Sequence, residues 1–204
     1  MWVTEEVHSI PKNIYGITKI AAESLCELFH RKHGLKCIAL RTSRFFPDED
    51  DSAEMRSLYS DANIKANEFL FRRADLHDVV TAHISAMQRV NSLGFVRLLV
   101  SATTPFKRRD AAELRTDALS VVQRYYPGQP LIYERLGWTM FPSIDRVYDN
   151  SRARELLDWE PIYDYQRILE SAAEGSDPRS EIARAVGTKY YHAEVFEDGP
   201  YPVA

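Results

Sequence analysis

The chain has 204 residues: 45% are hydrophobic, 26 are lysine or arginine and 30 are aspartate or glutamate, for a formal net charge of -4. That length supports one sizeable core, and the scattered basic residues leave no electrostatic footprint for a phosphate backbone, which speaks against a nucleic-acid partner. No apolar run reaches the ~18 residues a membrane helix needs, and the opening "MWVTEEVHS" has neither the basic flank nor the apolar stretch of a secretory signal, so a cytoplasmic protein without a membrane partner is expected.

In chain order, the first element is a helix from Tyr15 to about His33. Ile20, Ala21, Leu25, Leu28 and Phe29 repeat at helical spacing, and Gly34 follows the basic end "HRKH" as a stop. Next, "KCIALRTS" is a nearly continuous apolar run, which predicts a strand over 36–41 buried on both faces of a parallel sheet. A helix followed by a buried strand reads as α/β. The acidic stretch from Pro47 predicts a surface loop leading into a short helix. "EFLFRRADLHDVVTAHISAMQRV" carries a short apolar run, two arginines and a capping aspartate, then a helix with Val79, Val80, His83, Ile84 and Met87 inward. "FVRLLVSA" predicts a second buried strand. "RRDAAELRTDALSVVQRYYPG" reads as one amphipathic helix ended by Pro127 and Gly128, and "DNSRARELLDWEP" and "YDYQRILESAAEG" as two more. The aromatic tail "GTKYYHAEVFEDGPYPVA" is expected to pack on the body or on a partner. No internal repeat or low-complexity tract is visible.

Two cysteines, Cys26 and Cys37, do not make a disulfide framework in a chain of this size. With His30 and His33 they form "CELFHRKHGLKC", four residues of zinc-ligand type at helix-compatible spacing. Cys26 falls on the apolar stripe with Leu25 and Phe29, however, and Cys37 opens the apolar run "CIAL". Core cysteine is therefore the preferred reading, and no metal is expected.

The chemistry lies in "KNIYGITKIAAE", where Tyr15 and Lys19 are four residues apart at the start of a helix and so share one face. A free phenol titrates near pH 10 and is a poor base at neutral pH, whereas a cation held beside it favours the phenolate. Such a pair can move a proton, although a plain surface pair has the same spacing.

The context of this pair resembles the active-site region of the extended short-chain dehydrogenase/reductases, the NAD-dependent epimerase/dehydratase family. Pro11, Tyr15, Gly16, Lys19, Ala21, Ala22 and Glu23 match its pattern. "LRTSRFFP" is similar to the family's LRPxxxYGP, with Arg41 retained and the glycine and proline shifted or replaced. "FRRADLHDVVTAHISAM" is similar to RxFxHVxDVAxAxxxAL, with Asp78 and Val79 in place. "YDNSRARELLDWEP" is similar to DxSKAxxxLGWxP, with Asp149, Ser151, Ala153, Leu157, Trp159 and Pro161 matching, Arg152 standing for lysine and Asp158 for glycine. The resemblance implies that Tyr15 is the catalytic acid/base on a sugar hydroxyl or ketone during hydride transfer with NAD or NADP. Lys19 would assist it and hold the nicotinamide ribose, while Arg41, Thr42 and Ser43 would contact the nicotinamide end. A nucleotide-sugar substrate would suit Arg44, Arg72 and Arg73, each of which reads equally well as a solvated or ion-paired arginine.

The same comparison shows what these residues lack. No two of the eight glycines are close enough to form GxGxxG or GxxGxxG, the turn that seats a pyrophosphate on a helix N-terminus. Only Thr4 and Ser9 precede Tyr15 as candidates for the family's hydroxyl partner, and both are too near it in sequence for that role. The expected fold is a partial Rossmann-like parallel sheet with helices and a small C-terminal substrate-binding subdomain. Residues 1–46 would form the second-half Rossmann segment, and 47–204 the remaining Rossmann elements, the substrate side and the tail. The chain is expected to be inactive alone, with an upstream or separately encoded cofactor-binding half. Its uncovered apolar surface would favour a second copy or that half as partner. The alternative is a non-catalytic binding or interaction module derived from the family.

Overall fold

A computed structural model describes residues 1–187; the tail expected to pack on the body or a partner otherwise lies outside the described residues. In chain order the elements are β1 (Trp2–Val3), α1 (Ile14–His33), β2 (Cys37–Thr42), α2 (Ala53–Leu58), α3 (Asp61–Glu68), α4 (Leu76–Leu93) and β3 (Phe95–Val100). Two 3-10 turns, Arg108–Ala111 and Glu113–Arg115, lead to α5 (Ala118–Tyr125), α6 (Gln129–Leu136), β4 (Val147–Tyr148), α7 (Ser151–Leu157), α8 (Tyr165–Glu174) and α9 (Glu181–Val186). The mixed α/β class is as expected from the sequence. No described helix is long and apolar enough to cross a membrane.

Strands β2 and β3 pair in parallel over their full length, Cys37 opposite Phe95 and Thr42 opposite Val100, while β1 and β4 form a second short parallel pair. The two faces of the β2–β3 ribbon differ, because side chains alternate along a strand. Ile38, Leu40, Val96, Leu98 and Val100 face a cluster with Val79, Ala82 and Ala86 of α4 and Ala153, Leu157 and Trp159 at α7. Arg41, Phe95 and Arg97 face α1 instead, and no residue of β2 is fully buried. The expectation of a strand buried on both faces is thus corrected: "CIALRT" does alternate, with cysteine and alanine disguising the polar face.

Two helices are rotated from their expected settings. Helix α1 buries no residue completely, and Leu25 and Phe29 are 54% and 49% exposed, because Glu23 and Glu27 point at the sheet to meet Arg41 and Arg97. In α4, Asp78, Val79, Ala82 and Ala86 are buried, whereas His83, Ile84 and Met87 are exposed. Small residues let α4 approach both the ribbon and α7, an advantage that counting large apolar residues misses. The long helix expected over 108–128 begins as two 3-10 turns. Asp117 then caps a new start by accepting from Ser120 N at 3.1 Å. Helix α6, after Pro127 and Gly128, and helix α9 were not anticipated.

A second, larger cluster gathers Leu70, Phe71, Leu114, Val121, Val122, Tyr133, Tyr165 and Leu169. Its polar atoms are paired. Tyr165 donates to the Tyr133 hydroxyl at 2.9 Å, Tyr133 donates to Asn67 Oδ1 at 2.8 Å, and Asn63 and Asn67 both donate to the Thr139 carbonyl.

Asp78 joins the ribbon side to the C-terminal helices. Its fully buried carboxylate accepts from Ile162 N and Tyr163 N, each at 3.0 Å. Burial pushes this carboxyl up to about 6, although the two N–H groups oppose the shift. The folded chain therefore binds a proton that the unfolded chain releases near pH 4. Over about pH 4–6 this group makes stability fall as pH rises, by up to about 3 kcal/mol. Urea unfolding at several pH values should show the wild type losing stability against Asp78→Asn as pH rises through that window; a constant difference would contradict the assignment.

Asp158, where the family motif has glycine, ends α7 in the left-handed region at φ 52°. Its pair with Arg89, at 3.3 Å, is exposed and contributes little. Asp158→Gly should raise stability by about 0.5–1 kcal/mol in thermal or urea unfolding, and a loss would show that the aspartate is not strained.

Candidate functional site

The Asn13 side chain begins the site, its Oδ1 accepting from Gly16 N at 2.9 Å to cap α1. Gly16 allows Pro11 to fold over the first turn: a Cβ there would lie 3.1 Å from Pro11 Cβ. One turn of helix brings Tyr15 and Lys19 onto the same face as the spacing predicted, with Lys19 Nζ 5.2 Å from the Tyr15 ring centroid. The tyrosine is 69% exposed. The ammonium thus lies against the ring, an arrangement worth about 0.5–1 kcal/mol at an exposed position.

What aims this pair is the next stretch of the same helix. Arg41 donates from Nε and Nη2 to Glu23 at 2.8 and 2.7 Å, and from Nη1 to the Glu5 carbonyl at 3.2 Å. Arg97 on β3 reaches Glu23 at 3.0 Å and Glu27 at 2.6 Å. The Arg41 hydrogen bond, joined by that of Arg97, holds the Glu23 carboxyl below the ordinary glutamate value despite partial burial. Farther along, His30 stacks on Phe95 at the start of β3. Helix α1 therefore runs antiparallel to β2 and β3, and its first turns project beyond their carboxyl ends. Open α/β sheets bind ligands at that end.

Thr42 and Ser43 lie at the same end. Thr42 is exposed, whereas Ser43 is buried, its N–H donating to the Val100 carbonyl at 2.8 Å and its hydroxyl oxygen without a hydrogen-bond partner. Arg41, grouped with them in the sequence, commits its guanidinium to Glu23 and Glu5. From the geometry its contribution here is to hold α1.

Arg44, Arg72 and Arg73 come together although 28 residues separate the first from the second. The backbone after β2 runs beside 72–74, with Arg44 N donating to the Arg72 carbonyl at 3.2 Å and Ala74 N to the Arg44 carbonyl at 2.9 Å. All three guanidinium groups converge on the buried carboxylate of Glu68, at 3.1, 2.9 and 2.7 Å. Arg44 also meets Asp50 at 2.6 Å and Asp51 at 3.5 Å. Burial raises the Asp50 carboxyl, but the Ser52 N–H and the Arg44 guanidinium outweigh it and leave the group below its ordinary value. Arg73 is buried, paired by Glu68 and the Phe46 carbonyl. Arg44 and Arg72 keep about a third of their side chains exposed. Three cations thus meet three carboxylates, and only Arg44 and Arg72 have surface left for an incoming anion.

Glu68 was missed by motif matching. Its signal was its distance of four and five residues from two arginines in an otherwise apolar run, "EFLFRR". Glu5 was missed as well: it supplies a carbonyl to Arg41 and a carboxylate to Leu99 N at 2.8 Å. The four candidate zinc-ligand residues are not assembled into a metal site. His30 Nδ1 lies 2.7 Å from the Leu35 carbonyl, and among the described residues no group of three or more histidines, cysteines or carboxylates is placed to hold a metal ion.

Residues 3–94 match the model of the NAD dependent epimerase/dehydratase family. No curated protein matches the chain. Among solved structures, a short-chain dehydrogenase/reductase superfamily protein from Agrobacterium tumefaciens with bound NAD is 18% identical at TM-score 0.50, covering 90% of this chain and 61% of that one. A variant UDP-glucuronic acid 4-epimerase from Bacillus cereus, in complex with UDP-4-deoxy-4-fluoro-glucuronic acid and NAD, is 15% identical at TM-score 0.50, covering 85% and 55%. UDP-N-acetylglucosamine 4-epimerase from the same organism is 18% identical at TM-score 0.49, covering 84% and 54%. The chain thus spans between about half and three fifths of each of these structures, and the first two share its Rossmann-like α/β fold. Over residues 3–94, which carry Tyr15, Lys19, Arg41 and Asp78, this chain is similar to the NAD dependent epimerase/dehydratase family.

Proposed function

We propose that the chain is the tyrosine-bearing, substrate-side portion of an NAD- or NADP-dependent enzyme acting on a nucleotide sugar, and that it is inactive alone. The single observation that carries the reading is the antiparallel setting of α1 on β2 and β3, which puts the Tyr15–Lys19 face and the Ser43 hydroxyl at the carboxyl end of the ribbon. The buried, unpartnered Ser43 hydroxyl fits a polar group brought to that end, as the nicotinamide part of a dinucleotide would be. Thr42, Lys19 and Tyr15 would border it, with Arg41 fixing the helix that carries the last two. When bound, the nicotinamide supplies a hydride acceptor and donor.

In this reading the Tyr15 oxygen takes the proton from a sugar hydroxyl as that carbon is oxidised and returns it on reduction. Lys19 provides the positive charge that favours the phenolate. Arg44 and Arg72 face the phosphates of the substrate, and Arg73 keeps Glu68 paired beneath them. Residues 1–46 would serve the cofactor side and 47–204 chiefly the substrate side. A second copy or a cofactor-binding chain would complete the site, in the cytoplasm.

A second reading, a non-catalytic module that binds a nucleotide sugar or a protein, is favoured by the absence of a glycine-rich pyrophosphate turn from these 204 residues. Calorimetric titration of the chain with NAD and with NADP should give no saturable heat below millimolar concentration; tight binding would overturn the proposal that the cofactor half lies elsewhere. In any preparation that turns over a nucleotide sugar, Tyr15→Phe should lower kcat by roughly 10²–10⁴-fold while changing substrate affinity little. An unchanged kcat would leave the module reading.

A further inference from the structure

The sheet-facing side of α1 holds more than its carboxylates. Glu23, Cys26, Glu27 and His30 stand three, four and seven residues apart and share one face. Three of them meet the ribbon: Glu23 at Arg41 and Arg97, Glu27 at Arg97, and His30 at Phe95. On the ribbon, Cys37 stands directly opposite Phe95 in register and is an even number of residues from Arg41, so its side chain leaves the sheet on the α1 side. The turn between helix and strand is short and closed: Gly34 N donates to the His30 carbonyl at 2.8 Å, His30 Nδ1 pairs with the Leu35 carbonyl, and Cys37 N donates to the Gly94 carbonyl at 2.8 Å. These constraints turn the fourth member of the helix face, Cys26, toward the ribbon face that carries Cys37, where the Cys26 sulfur helps raise the Cys37 thiol; both cysteines are free and neither is fully buried.

We propose that Cys26 and Cys37 form a redox-modification site, in which oxidation by a small-molecule disulfide such as glutathione disulfide closes a bond between α1 and β2. Burial and the adjacent Cys26 sulfur push the Cys37 thiol above its ordinary value; the exchange can begin at either sulfur, taken here as Cys26. The Cys26 thiolate attacks one glutathione sulfur, breaking the S–S bond and expelling one glutathione thiolate. Cys37 then loses its proton as its sulfur displaces the second glutathione from the mixed disulfide. Two protein thiols are oxidised, and one glutathione disulfide is reduced to two molecules of glutathione. The product staples the helix that carries Tyr15 and Lys19 to its strand, where the reduced protein holds it through side-chain ion pairs.

The test is oxidation of the whole chain in graded mixtures of glutathione and glutathione disulfide, followed by alkylation, intact mass and tryptic mapping without reductant. The folded protein should lose two hydrogen masses and yield residues 20–31 joined to 37–41, a link that dithiothreitol removes. Cys26→Ser and Cys37→Ser should each stop at a single glutathione adduct. Any two cysteines eleven residues apart can meet in a flexible chain, so the same series is run in urea. The folded chain should form the link at a disulfide-to-thiol ratio at least about tenfold lower, reflecting the higher effective concentration of the paired sulfurs. Accumulation of adducts without the internal link, cross-linked dimers in its place, no reaction, or equal behaviour in urea would each overturn the proposal.

Discussion

Helix α1 is attached to its sheet by charge. No residue of the helix is fully buried, and several of its large apolar side chains point away from the ribbon, so the apolar contribution to its docking is small. In its place stand Arg41 and Arg97, sharing Glu23 between them, with Glu27 as a second acceptor for Arg97. Isolated exposed pairs contribute little to stability, but this network includes a two-point Arg41–Glu23 contact and lies between two packed elements. Its side chains are 20–38% exposed. The position of Tyr15 and Lys19, the antiparallel direction of the helix and the approach of Cys26 to Cys37 all follow from where those two arginines hold two glutamates.

The rest of the molecule surrounds this joint with conventional packing. The apolar face of the ribbon meets Ala82 and Ala86 of α4 and Ala153 of α7, and the Asp78 carboxylate ties α4 to the chain entering α8. Arg44, Arg72 and Arg73 share the Glu68 carboxylate at the next bend of the backbone. The fold thus has two guanidinium-rich junctions, one beneath α1 and one after β2. In both, a carboxylate on a helix is the acceptor that several arginines need.

Much of the fold was legible in the sequence. The helix carrying Tyr15 ends at His33 as Gly34 predicted, the strands in "CIALRT" and "FVRLLV" are present, and the tyrosine and lysine share a face. The burial pattern was harder to read. Leu25, Phe29, Ile84 and Met87 look like core residues by type, yet all four are exposed, because glutamates on α1 and alanines on α4 occupy the contact faces. Hydrophobicity marks which residues could be inside. It does not mark an interface closed by ion pairs, and it undervalues alanine where two elements approach closely. The arginines posed a related problem: spacing brings Arg72 and Arg73 near Glu68, but nothing local announces that Arg44 joins them from 24 residues upstream of that glutamate.

The central claim is that the Glu23 carboxylate fixes the helix bearing the candidate acid/base. Native-state hydrogen exchange of the wild type and of Glu23→Ala, followed by mass spectrometry, tests it most directly. The account predicts that amides of residues 14–33 lose protection by about tenfold or more while those of 76–93 and 165–174 are unchanged, since only the α1 joint is released. Equal protection of α1 in the two proteins would contradict it.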